Sequence, residues 1–260
     1  MMPAAFESIL KEFNCVSLKD LEKANLMNRI DTKFIMPVGQ LNDLVEVMIG
    51  HYNVLEINGG TILDYNTTYF DTGDLLFFNQ HVTGRAERDK VRIRYYVSTG
   101  TTFLEVKRRT RKNRTIKWRI EQPVSDLTFD EKAVAFLNSY IPDVATILRP
   151  MLRNDFCRVT FSGIAIPERV TIDTCLSFAG METERYNIPF LAIVELKSEG
   201  IASRSTFGSL IRKLSVHSTG FSKYCFGNAL LFDIPRKNML KSKLLVLNKL
   251  ENDYKSSINA

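Results

Sequence analysis

Cysteine and histidine are both scarce in this 260-residue chain, with four of the first and three of the second. Cys15, Cys157, Cys175 and Cys225 are scattered, with no C-x-x-C and no histidine at zinc-ligand spacing. That excludes the sequence pattern of a structural zinc site, argues against a disulfide framework, and fits a reducing compartment. His51, His81 and His217 form no metal pattern and are expected on the surface or in packing. There is no Walker loop, no G-x-G-x-x-G and no G-x-S-x-G, so P-loop, dinucleotide-binding and serine-hydrolase chemistry lack their motifs. No apolar run approaches the length of a membrane span. Met1-Met2-Pro3-Ala4-Ala5 lacks the basic and apolar regions of a signal peptide. No aromatic RNA-binding signature stands out. The expectation is a cytoplasmic protein with no membrane span and no nucleic-acid partner.

What remains is ordinary in bulk. The chain is 45% hydrophobic and 25% charged, with a formal net charge of +6, enough for a real core and compatible with an anionic partner. Phe6, Ile9, Leu10 and Phe13 keep helical spacing, as do Leu41, Leu44, Val45 and Met48, and again Phe207, Leu210, Ile211 and Leu214. Phe136, Leu137 and Tyr140 predict a helix before Pro142. Strands are predicted over residues 28–36, 61–71, 88–97, 101–109, 112–122, 154–162, 168–175 and 189–198. Leu244, Leu245, Leu247 and Leu250 among lysines predict a terminal helix that docks on the body or on a protein partner. Many antiparallel strands with inserted helices make an α+β chain built on an antiparallel β-barrel, closed or nearly so, with helices packed outside.

Several of these strands alternate charged and apolar residues. Alternate strand side chains point to opposite faces, so Lys90, Arg92 and Arg94 share one face and Val91, Ile93 and Tyr95 the other. Glu105, Lys107 and Arg109 form a second such set, and Arg169, Thr171 and Asp173 a third. Arg158 lies on a strand whose Val159 and Phe161 are apolar. A single alternating strand is more simply a solvated one. As an ensemble, with the apolar faces under helices, the charged faces would turn inward. Buried cations are costly unless anions neutralise them. A polyphosphate would do so, Arg engaging its oxygens bidentately and Lys acting as a mobile point charge.

Two acids stand among these cations. Glu195, in the apolar run Ala192-Ile193-Val194-Glu195-Leu196-Lys197, suits either a hard divalent cation shared with phosphate oxygens or an ion pair with Lys197 or a facing Arg. Glu105 has the same two readings, with more bases around it favouring the ion pair. Phe221-Ser222-Lys223-Tyr224 could reach over the mouth of a barrel, but alone it reads as an ordinary loop.

Taken in order, the motifs resemble the VTC-type polyphosphate polymerase domain, a branch of the triphosphate tunnel metalloenzyme (CYTH-like) superfamily. The matching stretches are Asp31-Thr32-Lys33-Phe34, Thr68-Tyr69-Phe70-Asp71-Thr72, Lys90-Val91-Arg92-Ile93-Arg94-Tyr95-Tyr96 and Phe103-Leu104-Glu105-Val106-Lys107-Arg108-Arg109. They continue with Arg169-Val170-Thr171-Ile172-Asp173-Thr174, Ile193-Val194-Glu195-Leu196-Lys197 and Phe221-Ser222-Lys223-Tyr224. The resemblance covers roughly residues 20–235 of a tunnel domain placed at 1–235, leaving 236–260 as a basic C-terminal helix or tail.

The resemblance implies a triphosphate tunnel lined by Lys33, Arg92, Arg94, Lys107, Arg109, Arg158 and Lys223. Lys90, Ser222 and Lys197 would add contacts to the bound group, and Glu195 would ligand Mn²⁺ or Mg²⁺. The implied activity is that of a metal-dependent phosphotransferase, moving the γ-phosphate of ATP onto inorganic polyphosphate. The alternatives are hydrolysis of tripolyphosphate or an organic triphosphate, and a polyphosphate-binding module without chemistry. Two departures bear on this. The E-x-E-x-K of the hydrolase and cyclase relatives stands here as Arg29-Ile30-Asp31-Thr32-Lys33, with one acid, which favours the polymerase branch. The tyrosine expected two residues before Arg158 is Phe156.

Overall fold

The computed structural model describes residues 4–23, 30–112, 114–123 and 127–258. The chain begins with α1 (Ala4–Leu10), β1 (Cys15–Val16), α2 (Leu18–Lys23), β2 (Ile30–Pro37), α3 (Leu41–Glu46), β3 (Tyr52–Leu55), β4 (Leu63–Asp71) and α4 (Leu76–Val82). It continues with β5 (Arg88–Tyr96), β6 (Thr101–Arg109), β7 (Thr115–Glu121), α5 (Glu131–Tyr140), β8 (Arg149–Gly163), β9 (Glu168–Ala179), β10 (Tyr186–Ile188) and β11 (Leu191–Ser198). The last helices are α6 (Thr206–Lys213), α7 (Lys223–Leu231) and α8 (Lys241–Ile258). Residues 28 and 29 of the first predicted strand lie outside the described residues.

The long strands form one antiparallel sheet in the order β2-β11-β9-β8-β4-β5-β6-β7. Its edges, β2 and β7, are not joined by hydrogen bonds among the described residues. The sheet is strongly curved nonetheless. Lys33 of β2 lies within electrostatic reach of Lys90 of β5, and Lys107 of β6 within reach of Glu195 and Lys197 of β11. These strands are far apart in sheet order, so only a curled sheet brings them together, and the result is a tunnel-like bore.

The apolar faces lie outside, as the alternation requires. Phe34, Met36, Val159, Phe161, Val170, Ile172, Val194 and Leu196 pack against α1, α3 and α6. Val91, Ile93, Leu104 and Val106 pack against Ala133 and Leu137 of α5. Asp130 caps α5, accepting from Ala133 N–H at 2.7 Å. Buried Glu168 heads α6, accepting from Thr206 N–H at 3.0 Å and from the Tyr52 hydroxyl at 2.6 Å.

The segment that reads alone as a loop is instead the start of α7. Ser222 caps this helix, accepting from Cys225 N–H at 3.4 Å. Tyr224, Phe226 and Ala229 of α7 join Leu152, Phe156, Leu176 and Phe178 in one cluster. These strand residues share the inward face, so α7 closes one end of the bore. Asp71 locks it there: its carboxylate accepts from Thr72, Phe77 and Phe78 N–H at 2.8–2.9 Å and from the Tyr224 hydroxyl. The fit is close. A Cβ on Gly227 would lie 2.5 Å from Leu152 Cδ2 and 2.6 Å from Phe178 Cδ1. Gly227→Ala is therefore expected to cost about 1–3 kcal/mol by overpacking, read as a lowered urea midpoint.

Leu247 of α8 is buried in the same cluster while Leu245 and Val246 are exposed, so the terminal helix docks on the body. Among the described residues no helix is long and apolar enough to cross a membrane.

Candidate functional site

Cross-strand register turns the sequence alternation into rungs of charge. Arg88 opposes Arg109, Lys90 opposes Lys107, and Arg92 opposes Glu105 across β5 and β6. Lys107 opposes Lys117, and Glu105 opposes Arg119, across β6 and β7. On the facing side Glu195 opposes Lys33 of β2 and Thr171 of β9. Arg158 of β8 opposes Asp173 of β9.

Three inward carboxylates are each held by cations. Glu105, fully buried, accepts from Arg92 Nη2 at 2.5 Å and Nε at 2.7 Å, with Lys117 Nζ at 3.3 Å. Asp173 accepts from Arg158 Nε at 2.5 Å and Nη2 at 2.7 Å, and from Lys223 Nζ. Glu195 accepts from Lys33 Nζ. Of the two readings of Glu195, the ion pair is present, with Lys33 as the partner, a residue from the neighbouring strand. Burial works against the charge of Glu195, but Lys33, Lys197 and Lys107 hold its carboxyl well below the usual range. Burial likewise opposes ionisation of Glu105 and Asp173, and their Arg and Lys neighbours outweigh it.

The cations are not all matched. Neither Lys90 nor Lys107 makes an ion pair among the described residues. Arg92, then burial, pushes Lys107 well below the ordinary lysine value. Burial pushes Lys90 down to about 8, and it pushes Lys223 down to about 7 against the pull of Asp173. Arg94 is also buried and, among the described residues, donates only to Thr67 Oγ1, at 3.2 Å. Cations crowded to this degree, with proton affinities depressed by one another and by burial, favour an anion of several charges between them.

An aromatic pair forms part of the wall. Tyr65 and Phe156, opposite each other on β4 and β8, stack at 5.2 Å and 8°. Arg94 and Arg158 lie 5.2–5.6 Å from both ring centres, and Lys223 Nζ is 3.3 Å from the centre of Phe156. A phenol thus stands beside Arg158 after all, supplied by Tyr65 from the next strand where Phe156 lacks the hydroxyl. Sequence reasoning passed over Tyr65, because cross-strand opposition is invisible in a single strand's pattern.

The fold brings Lys33, Lys90, Arg92, Arg94, Lys107, Arg158, Lys197, Glu195 and Lys223 to the concave face. Arg109 sits at the end of its ladder and is exposed, and Ser222 spends its hydroxyl on capping α7. Thr171 Oγ1 is buried and without a hydrogen-bond partner among the described residues. No group of three or more His, Cys, Asp or Glu side chains is poised to hold a metal among the described residues. Glu195 alone fits a hard divalent ion only as one ligand among phosphate oxygens and water.

Comparison with known families decides the lineage: the VTC domain matches residues 28–232. The chain belongs to the VTC domain family. The VTC domain's tunnel fold is shared with a proposed adenylate cyclase from Bacillus halodurans, 13% identical, with TM-score 0.52 over 79% of this chain and 98% of that one. A proposed adenylyl cyclase from Hippeastrum, described as having a dominant triphosphatase activity, aligns at 13% identity and TM-score 0.49 over 79% and 97% of the two chains. None of the curated proteins matches the chain significantly.

Proposed function

We propose that this VTC domain binds triphosphate and polyphosphate in its bore and transfers the γ-phosphate of ATP to the end of a growing inorganic polyphosphate. The observation that carries this reading is the excess of inward cations, above all the Lys90–Lys107 rung, over the carboxylates Glu105, Asp173 and Glu195. Two polyanionic reactants repel each other. Arg92, Arg94, Arg158 and Lys223 would offset that repulsion and hold donor and acceptor in line. Glu195 would hold Mn²⁺ or Mg²⁺, and the ion would supply charge neutralisation at the transferring group.

The state of the acids supports transfer over hydrolysis. A general base works best with a pKa near the working pH, and Glu105, Asp173 and Glu195 are all held far below it by their cations. A terminal phosphate is already ionised near neutrality and needs no such base, whereas water does.

The test is incubation with ATP and Mn²⁺, with products resolved by chain length. Acid-stable phosphate polymer is the expected product. Orthophosphate without chain growth would select the hydrolase, and tight binding without turnover under several metals would select a binding module.

A further inference from the structure

Asp173 and Leu176 of β9 both face inward, although an unbroken strand turns residues three apart to opposite faces. The strand takes up an extra residue opposite Phe156 of β8. Asp155 pairs with Ser177 and Cys157 with Thr174, so Cys175 and Leu176 share one partner. This is a β-bulge, and its first residue stands in the left-handed region, Cys175 at φ 50°. Side chains with a Cβ are uncommon there, and glycine is the usual choice.

The bulge brings two thiols together on the outer face. Cys157 lies between the inward Phe156 and Arg158, and its direct partner Thr174 is the residue next to Cys175. Opposite Cys157 on β4 is Asp64, whose Oδ1 accepts from Cys157 Sγ at 3.2 Å. Cys157 also hydrogen-bonds with Cys175; this bond raises the Cys157 thiol, with burial and Asp64 adding to it, and lowers that of Cys175. One sulfur is thus the readier nucleophile, and the other holds the proton. Both cysteines are free and partly exposed, and neither belongs to a hydrophobic cluster among the described residues.

We propose that Cys157 and Cys175 form a peroxide-reactive dithiol, a modification site on the outer face of the sheet whose disulfide weakens anion binding in the bore. The effect on binding rests on the reading of the bore as a phosphate site; the dithiol itself does not. The Cys175 thiolate attacks one oxygen of hydrogen peroxide, the O–O bond breaks, and hydroxide leaves to become water with a proton from solvent. The sulfenic acid so formed is attacked by Cys157, whose proton passes through Asp64 to the departing hydroxide. Two thiols and one peroxide give one disulfide and two waters, the two sulfurs supplying the two electrons. The next pair along the ladder is Arg158–Asp173, in the bore wall. A disulfide needs its sulfurs about 2.05 Å apart and its Cβ atoms about 3.8 Å apart, closer than hydrogen-bonded thiols. Closing it draws in the backbone on both sides of the bulge and shifts Phe156 and Arg158, which flank Cys157.

The test is titration of the reduced protein with hydrogen peroxide, then alkylation of the remaining thiols and peptide mass mapping. A single cross-link from Cys157 to Cys175 is expected, reversed by dithiothreitol, with Cys15 and Cys225 still free to be alkylated. Cys157→Ser should stop at a sulfenic acid on Cys175, trapped by dimedone, and Cys175→Ser should leave Cys157 unreacted. Tripolyphosphate affinity, measured by calorimetry, should fall about fivefold or more on oxidation, the low end of coupling between linked sites. Dithiothreitol should restore it, and Cys157→Ser given the same peroxide should keep the affinity of the reduced protein. Absence of the Cys157–Cys175 cross-link, or a Cys175 that reacts no faster than exposed Cys15, would overturn the dithiol. A cross-link that leaves affinity unchanged would overturn its effect on the bore. If the reduced protein binds no tripolyphosphate, the phosphate reading of the bore fails, while the mass map still decides the dithiol.

Discussion

Glu195→Gln is expected to lose metal-dependent turnover, by about 100-fold or more. Changes even to groups that merely support a metal ligand cost 10–100-fold, and Glu195 is proposed as the ligand itself. The fold should survive, because the substitution keeps the shape of the side chain on β11 and Val194 and Leu196 still pack outward. Binding and turnover should separate. Removing this carboxylate leaves Lys33, Lys197 and Lys107 without the anion they now surround, so tripolyphosphate should bind at least as well in the absence of metal. A purely structural ion pair predicts the reverse, a loss of stability with turnover retained per folded molecule. Product formation from ATP and Mn²⁺, metal-free tripolyphosphate affinity and a thermal melt together decide between them.

Glu105→Gln should act in the opposite way, on stability first. This carboxylate is fully buried, and it compensates Arg92 and Lys117 directly and Arg94 and Lys107 at longer range. Breaking a buried pair by removing one partner costs about 3–5 kcal/mol, because the other charge stays buried. A ligand that binds only the folded state adds stability that grows with the logarithm of its concentration relative to Kd. Saturating tripolyphosphate should therefore recover much of the loss, since it brings the missing negative charge to the same cations. Urea unfolding of both proteins, with and without tripolyphosphate, measures this. A deficit that is the same with and without the ligand would show that the anion does not sit beside Arg92, and the bore would no longer serve as the phosphate site.

These two glutamates illustrate what a linear sequence can carry. Both were visible as acids among alternating bases, and the alternation itself assigned Lys90, Arg92 and Arg94 to one face and Val91 and Ile93 to the other. The preference of Glu105 for an ion pair followed from the density of bases around it. The partner of Glu195 did not. Lys197 is its neighbour in sequence on the same face, but Lys33 is its neighbour across the ladder, and the register between β2 and β11 has no local signature.

The helices divide along the same line. α3, α5 and α6 each lay one apolar stripe on the sheet, so their periodicity is legible. α4 is only seven residues long, and α7 is buried from Tyr224 to Ala229. A helix surrounded by core has no polar face to mark its period. Ser222 ahead of an apolar run is the available signal, as an N-cap.

The sequence by itself determined which side chains share a face, because strand alternation is a property of neighbouring residues. Tertiary structure alone decided which charges meet: Lys33 with Glu195, and Lys223 with the Arg158–Asp173 pair. Those meetings depend on register, on curvature and on how α7 closes the bore, and each of these is set by contacts between segments far apart in the chain.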